Sequence, residues 1–96
     1  MLYLMIVSFK CKKTKSLFED YFVKEYEHFE KAARRKLLLL HRAKTLSDLA
    51  LPPGNRPEPL RGDLEGYYSI RINKQWRIIF RWNDNKAFDV EIIDYH

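Results

Sequence analysis

Residues 67–82 read YYSIRINKQWRIIFRW, two β-rich runs joined by the polar triplet Asn73-Lys74-Gln75. Successive side chains in a strand point to opposite faces. In the first run Tyr68, Ile70 and Ile72 therefore share one side, and Ser69 and Arg71 the other. The next run repeats the split, with Trp76, Ile78 and Phe80 against Arg77, Ile79 and Arg81. One face is expected to be core and the other to bear arginine. Working outward, Asn83-Asp84-Asn85-Lys86 is a turn sequence that leads into an apolar strand over 87–95. On the other side, residues 58–61 read as a short strand and Gly62-Asp63-Leu64-Glu65-Gly66 as a turn. The second half is thus expected to be an antiparallel meander of three to four strands forming a curved sheet.

The first half has a different period. Residues 3–9, YLMIVSF, form an uncharged β-rich run that predicts an N-terminal strand. Thr14 or Ser16 can then cap a helix whose apolar positions Leu17, Phe18, Tyr21 and Phe22 lie three or four apart. No Gly or Pro fixes whether it stops near Asp20 or runs on to Tyr26. Phe29, Ala33, Leu37 and Leu40 form the stripe of a second helix, with Lys31, Arg34, Arg35 and Arg42 on or beside its solvated face. The pair reads as a helical hairpin. Thr45-Leu46-Ser47-Asp48-Leu49 predicts one capped helical turn, and Pro52-Pro53-Gly54-Asn55-Arg56-Pro57 interrupts regular structure. The expected fold class is α+β, with the helices on one face of the sheet.

Ninety-six residues are enough for one hydrophobic core and too few for two, so residues 1–96 are read as a single domain. Eighteen Lys and Arg against thirteen Asp and Glu give a net charge of +5, which favours an anionic partner, nucleic acid first. Six Phe, six Tyr and two Trp leave aromatics available beyond the needs of so small a core. Cys11 is the single cysteine, which excludes an internal disulfide and suits a reducing cytoplasm. The apolar run at residues 1–7 is too short to span a membrane, and no small-residue cleavage site follows it. His28, His41 and His96 have no metal-ligand spacing, so no metal site is expected.

The arginine-bearing face has a chemical reading. Metal-free RNA cleavage needs a base for the ribose 2′-OH, an acid for the leaving 5′-oxygen, and fixed cations for the charge on the phosphorane. Asp94, Tyr95 and His96 end the chain beside the strands that carry Arg71 and Arg77, and together these residues can supply those roles. Each also has a plain structural reading: solvated sheet arginines, an edge-covering tyrosine, an ion-pairing aspartate and a frayed terminal histidine.

Several blocks, in order, carry a resemblance. Pro52-Pro53-Gly54-Asn55-Arg56, Leu60-x-Gly62, Ser69-Ile70-Arg71-Ile72-Asn73, Gln75-Trp76-Arg77, Phe80-x-Trp82 and Val90-Glu91-Ile92-x-Asp94-Tyr95-His96 resemble the HigB toxins, the plasmid maintenance killer branch of the RelE/ParE superfamily. Arg35-Lys36-Leu37 and Leu46-x-Asp48-Leu49 fit the same pattern, and the match runs from about Met5 to His96. The resemblance implies a RelE-like cytoplasmic toxin that cleaves mRNA, usually on the ribosome, with no metal or organic cofactor. It implies a HigA-like helix-turn-helix antitoxin as partner, with operator DNA bound only through the complex. It assigns phosphate contacts to Arg77 and Arg61, the acid/base end to His96 and Asp94, and a stacking or orienting role to Tyr95. Arg56 and Arg71 join them as candidate RNA-binding residues.

Two departures qualify the transfer. Glu58 stands before Pro59-Leu60-Arg61-Gly62 where some HigB toxins have histidine, so a two-histidine mechanism is excluded and Glu58 becomes a candidate base. Pro57 replaces a common apolar residue, and Met5 is an alternative start to Met1. Because one fold serves the whole superfamily, a ParE-like toxin acting on a protein such as DNA gyrase is the alternative. A catalytically silent nucleic-acid-binding domain is the third reading. Arg77 together with the Asp94-Tyr95-His96 end favours the nuclease.

Overall fold

In a computed structural model, which describes residues 5–95, two α-helices precede a four-stranded sheet. Helix α1 is Lys12–Phe18 and α2 is Glu30–Arg42. The strands are β1 Glu58–Pro59, β2 Tyr67–Arg71, β3 Trp76–Asn83 and β4 Lys86–Asp94. They pair antiparallel in chain order, as short turns require. The α+β reading and the meander are therefore correct.

Alternation places the core as expected. Ile70, Ile78 and Phe80 are fully buried against Leu17, Ala33, Leu37 and Leu40 of the helices and Val90 of β4. Positions 33, 37 and 40 are the 3.6-residue stripe of α2. The other face differs from expectation in one respect. Leu60, Tyr67 and Ile79 are buried there as a second, smaller cluster, with Leu64, Ile93 and Tyr95 packed on it. The arginines thus border an apolar patch instead of covering a wholly polar face.

Four local expectations need correction. Of the predicted strand at 3–9, residues 3 and 4 lie outside the described residues, and the rest makes two isolated parallel bridges to β4, Ile6 to Ala87 and Phe9 to Val90. Between these bridges Asp89 adopts φ 52 and β4 slips register against β3, and the Ser8 Oγ accepts the Asp89 N–H at 2.9 Å. A bulge of this kind interrupts a regular ladder. Helix α1 begins before the proposed caps: Thr14 is inside it and fully buried, and its Oγ1 accepts the Ile92 N–H at 3.0 Å.

The same helix ends at Phe18, because Asp20 turns the chain with φ 71, a conformation that aspartate tolerates. Tyr21 and Phe22 consequently leave the apolar stripe and are exposed. Arg34, expected in solvent, donates from Nε to the Leu17 carbonyl at 3.3 Å and from Nη2 to the Tyr21 carbonyl at 3.1 Å. It thereby ties the end of α1 to α2. Lys31, Arg35 and Arg42 are exposed as expected.

Candidate active site

The proline-rich segment is ordered by a buried side chain. After the capped 3₁₀ turn Leu46–Ala50, the chain makes a second 3₁₀ turn at Pro53–Asn55. Asn55 is fully buried, and its Nδ2 donates to the carbonyls of Leu49 at 3.1 Å and Leu51 at 3.2 Å. Its Oδ1 accepts from the Lys36 ammonium of α2. Burial lowers the Lys36 pKa below its ordinary value, and neighbouring Arg35 adds to the effect. Buried polar groups need partners, and the Asn55 amide uses both its ends. The loop held in this way delivers Arg56, at φ 43, to the edge of the arginine-bearing face.

Arg77 is the centre of that face. Its side chain is only 12% exposed, and Nη1 donates to Ser69 Oγ at 2.7 Å and to the Arg56 carbonyl at 3.4 Å. The Glu58 Oε1 lies 3.5 Å from the same nitrogen, and the guanidinium sits 5.1 Å from the centre of the Tyr95 ring. Register explains the convergence. Glu58 pairs with Ser69 between β1 and β2, and Arg71 pairs with Arg77 between β2 and β3. Ser69 is fully buried and was not among the candidate residues; its place on the arginine side of the strand was the available signal.

An open basin beside Arg77 is lined by Arg56, Arg71, Asn73, Lys74 and Tyr95. The structure therefore brings together Arg56, Glu58, Arg71, Arg77 and Tyr95. It places Arg61 apart, exposed at the start of the 3₁₀ turn Gly62–Leu64. Asp94 pairs with Trp76 across the ladder, so it takes the face opposite Arg77, where it accepts from Gln75 Nε2 at 2.9 Å. His96 lies outside the described residues. Lys74, missed in the sequence, reaches the basin from the β2–β3 turn. That turn is set by Asn73, whose Oδ1 accepts the N–H groups of Gln75 and Trp76, both at 2.8 Å.

Such an arrangement suits an anion. Four cationic side chains converge with one carboxylate among them, and Arg77 is oriented before any ligand arrives. Its planar fork can grip two oxygens of one phosphate. Tyr95 adds an aromatic wall on which a base can stack. Among the described residues no group of three or more His, Cys, Asp or Glu could hold a metal ion, and no helix is long and apolar enough to cross a membrane.

The family model described as the RelE-like toxin of type II toxin-antitoxin system HigB matches residues 7–96. The chain belongs to this HigB family. Toxin HigB-1 of Vibrio cholerae serotype O1 is 43% identical to this HigB-family chain over 91 residues, 88% of this chain and 92% of that protein. A shorter match, 45% over 38 residues, is to an endoribonuclease HigB of Proteus vulgaris and covers 40% of this chain and 41% of that one. A chain of a YoeB–YefM complex from Staphylococcus aureus is similar in structure, with a TM-score of 0.54 and 26% identity over 95% of this chain and 97% of that chain. YafQ from E. coli has a TM-score of 0.59 at 17% identity over 93% and 92%, a likeness of fold alone. The HigB-family chain is thus a toxin of the type II toxin-antitoxin class, with a RelE-like fold.

Proposed function

We propose that this HigB-family toxin acts in the cytoplasm as a metal-independent endoribonuclease, cutting mRNA on the ribosome, and that a HigA-like helix-turn-helix antitoxin neutralises it. Operator DNA is reached only through the antitoxin complex. The observation that carries the reading is Arg77, a nearly buried guanidinium fixed by Ser69 and Tyr95 at the floor of a cationic basin. In the proposed reaction a ribose 2′-oxygen attacks the adjacent phosphorus and loses its proton to a base. The bond from phosphorus to the 5′-oxygen breaks, and that oxygen takes a proton from an acid. The products are a 2′,3′-cyclic phosphate and a 5′-hydroxyl.

Arg77 on this reading neutralises the charge that builds on the phosphorane. Arg56 and Arg71 hold the neighbouring backbone, Arg61 a more distant phosphate, and Tyr95 stacks on a base. His96 is the principal acid/base group, since imidazole exchanges protons near neutrality. Glu58, at the basin rim, is the alternative base. Asp94, expected at the acid/base end, lies on the face opposite Arg77 and on this reading anchors the chain through Gln75, whose carbonyl also accepts the Tyr95 N–H, so that it positions Tyr95.

The test is expression without antitoxin. Growth should stop, and new mRNA 5′ ends should map inside translated coding regions. Intact transcripts with altered DNA supercoiling would identify a ParE-like poison of gyrase instead.

A further inference from the structure

We infer that the arginine-bearing face carries a second binding subsite, built on Lys10, Tyr67 and Arg81, for the single-stranded RNA that flanks the cleaved bond. This inference rests on the reading of the chain as an RNA-cleaving enzyme. Tyr67 is 5% exposed, and two cations lie against its ring: the Arg81 guanidinium 4.5 Å and the Lys10 ammonium 5.4 Å from the centroid. The ring is a fixed platform, whereas both cationic side chains remain accessible to solvent. Asp89 is 3.5 Å from Arg81 Nε, so two positive charges face one carboxylate and a net positive charge remains.

Beside Arg81 is a concavity walled by Gly66, Trp82, Asn83 and Phe88. Gly66 has φ +93, a conformation that favours glycine, and this turn sets its backbone beside the Arg81 guanidinium. The buried Tyr67 ring holds the two cations for the RNA backbone, and the partly exposed rings of Trp82 and Phe88 in the concavity are the ones a base can meet, the pattern of charge beside aromatics that binds single strands.

The position of the subsite fits one strand crossing both sites. Arg81 follows Arg77 by four residues on β3, about 13 Å along the strand, a span that a few nucleotides cover. Leu60 and Leu64 pack over Ile79 between them, and Arg61 is exposed on that same segment. Arg61, which does not line the basin, then has a role: it meets the phosphate between the two subsites.

The test uses 2′-O-methyl oligoribonucleotides, which lack the attacking hydroxyl and bind without being cut. A three-nucleotide probe reaches only the basin, whereas a ten-nucleotide probe reaches both subsites. The ten-mer should bind more tightly than the three-mer in fluorescence polarisation. Replacing Lys10→Ala and Arg81→Ala together should weaken ten-mer binding about tenfold and leave the three-mer unchanged. It should also flatten the ten-mer's log Kd against log salt by about 1.4, the share of two phosphate contacts on a single strand.

Asp89→Asn, which keeps a residue suited to the positive φ, should tighten the ten-mer alone. It also decides the matter if the double variant fails to fold. Equal binding of the two probes by the wild type, or an unchanged ten-mer affinity in the variants, overturns the subsite. The parent reading is judged separately: mRNA cleavage that survives Arg77→Ala sinks that reading, whatever the oligonucleotides do.

Discussion

Arg77 is useful because its position is settled before substrate arrives. A solvent-exposed arginine must lose rotamer freedom to grip a phosphate, at a cost of about 2 kcal/mol. Arg77 has already lost it to Ser69, the Arg56 carbonyl and the Tyr95 ring. Glu58 occupies part of the same fork in the free protein and must yield when a phosphate enters. Glu58→Gln should therefore raise affinity for RNA several-fold while cleavage stays within a few-fold of wild type. His96→Gln should instead slow cleavage by about 10²–10⁴. Single-turnover rates alongside binding decide between them: a larger rate loss in Glu58→Gln, with His96→Gln nearly silent, would make Glu58 the base.

His41 gives a second prediction at this scale. Its Nδ1 accepts the Ile6 N–H at 3.4 Å and its ring meets Phe18 edge-on, with centroids 5.2 Å apart. Burial first, then the charge of Arg42, lowers its pKa from 6.5. The unfolded chain thus binds this proton more readily than the folded one, so stability rises with pH through this titration. The contribution is complete above about pH 6.5 and is lost as pH falls through the lowered native value. Denaturant melts between pH 7 and pH 5 should show this loss, and His41→Gln should reduce it. An identical pH slope in the variant would remove His41 as the cause.

At the scale of elements, the loop from Pro52 to Arg56 matters as much as any strand. Asn55→Ala removes three hydrogen bonds at once and strands two backbone carbonyls and the Lys36 ammonium. The expected cost is about 2–4 kcal/mol of stability, measured by urea unfolding. A loosened Arg56 should lower RNA affinity as well. A change below about 0.5 kcal/mol, the range of ordinary surface substitutions, would contradict the role given to Asn55.

The legibility of these elements follows from the same physics. The meander could be read because its alternation is unbroken across two strands, and α2 because Ala33, Leu37 and Leu40 repeat at helical spacing. The end of α1 could not, because the residue that turns the chain is Asp20 and carries neither a Gly nor a Pro signal. The bulge at Asp89, which breaks up the N-terminal strand, is likewise a tertiary event hidden from local pattern. The second cluster was concealed because Ile79 stands between Arg77 and Arg81, where alternation reads as polar. Of the site, Arg71 and Arg77 were legible from their strand faces, and Tyr95 from its place at the end of the last strand, whereas Arg56 sits in a loop that no periodicity places. Ser69 was passed over although it shares the arginine side of β2, because a serine there reads as solvated until Arg77 is seen to bury it.

For the whole molecule, charge and fold divide the labour. One face of the sheet is closed by α1 and α2 into the main core, so the other is the face that can meet RNA, and the net charge of +5 favours such an encounter. The antitoxin proposed here has to cover or distort that face. The central claim is that the basin around Arg77 breaks RNA, and the most direct measurement is cleavage of a defined mRNA on programmed ribosomes by the purified chain and by Arg77→Ala. The wild type should cut within the ribosome-bound codon. Arg77→Ala, assayed at a temperature where its circular dichroism shows it folded, should cut slower by at least about 10², the loss of roughly 3 kcal/mol seen when one fixed oxyanion donor is removed. Arg77→Lys should recover little of this. An equal cleavage rate in wild type and Arg77→Ala would contradict the account.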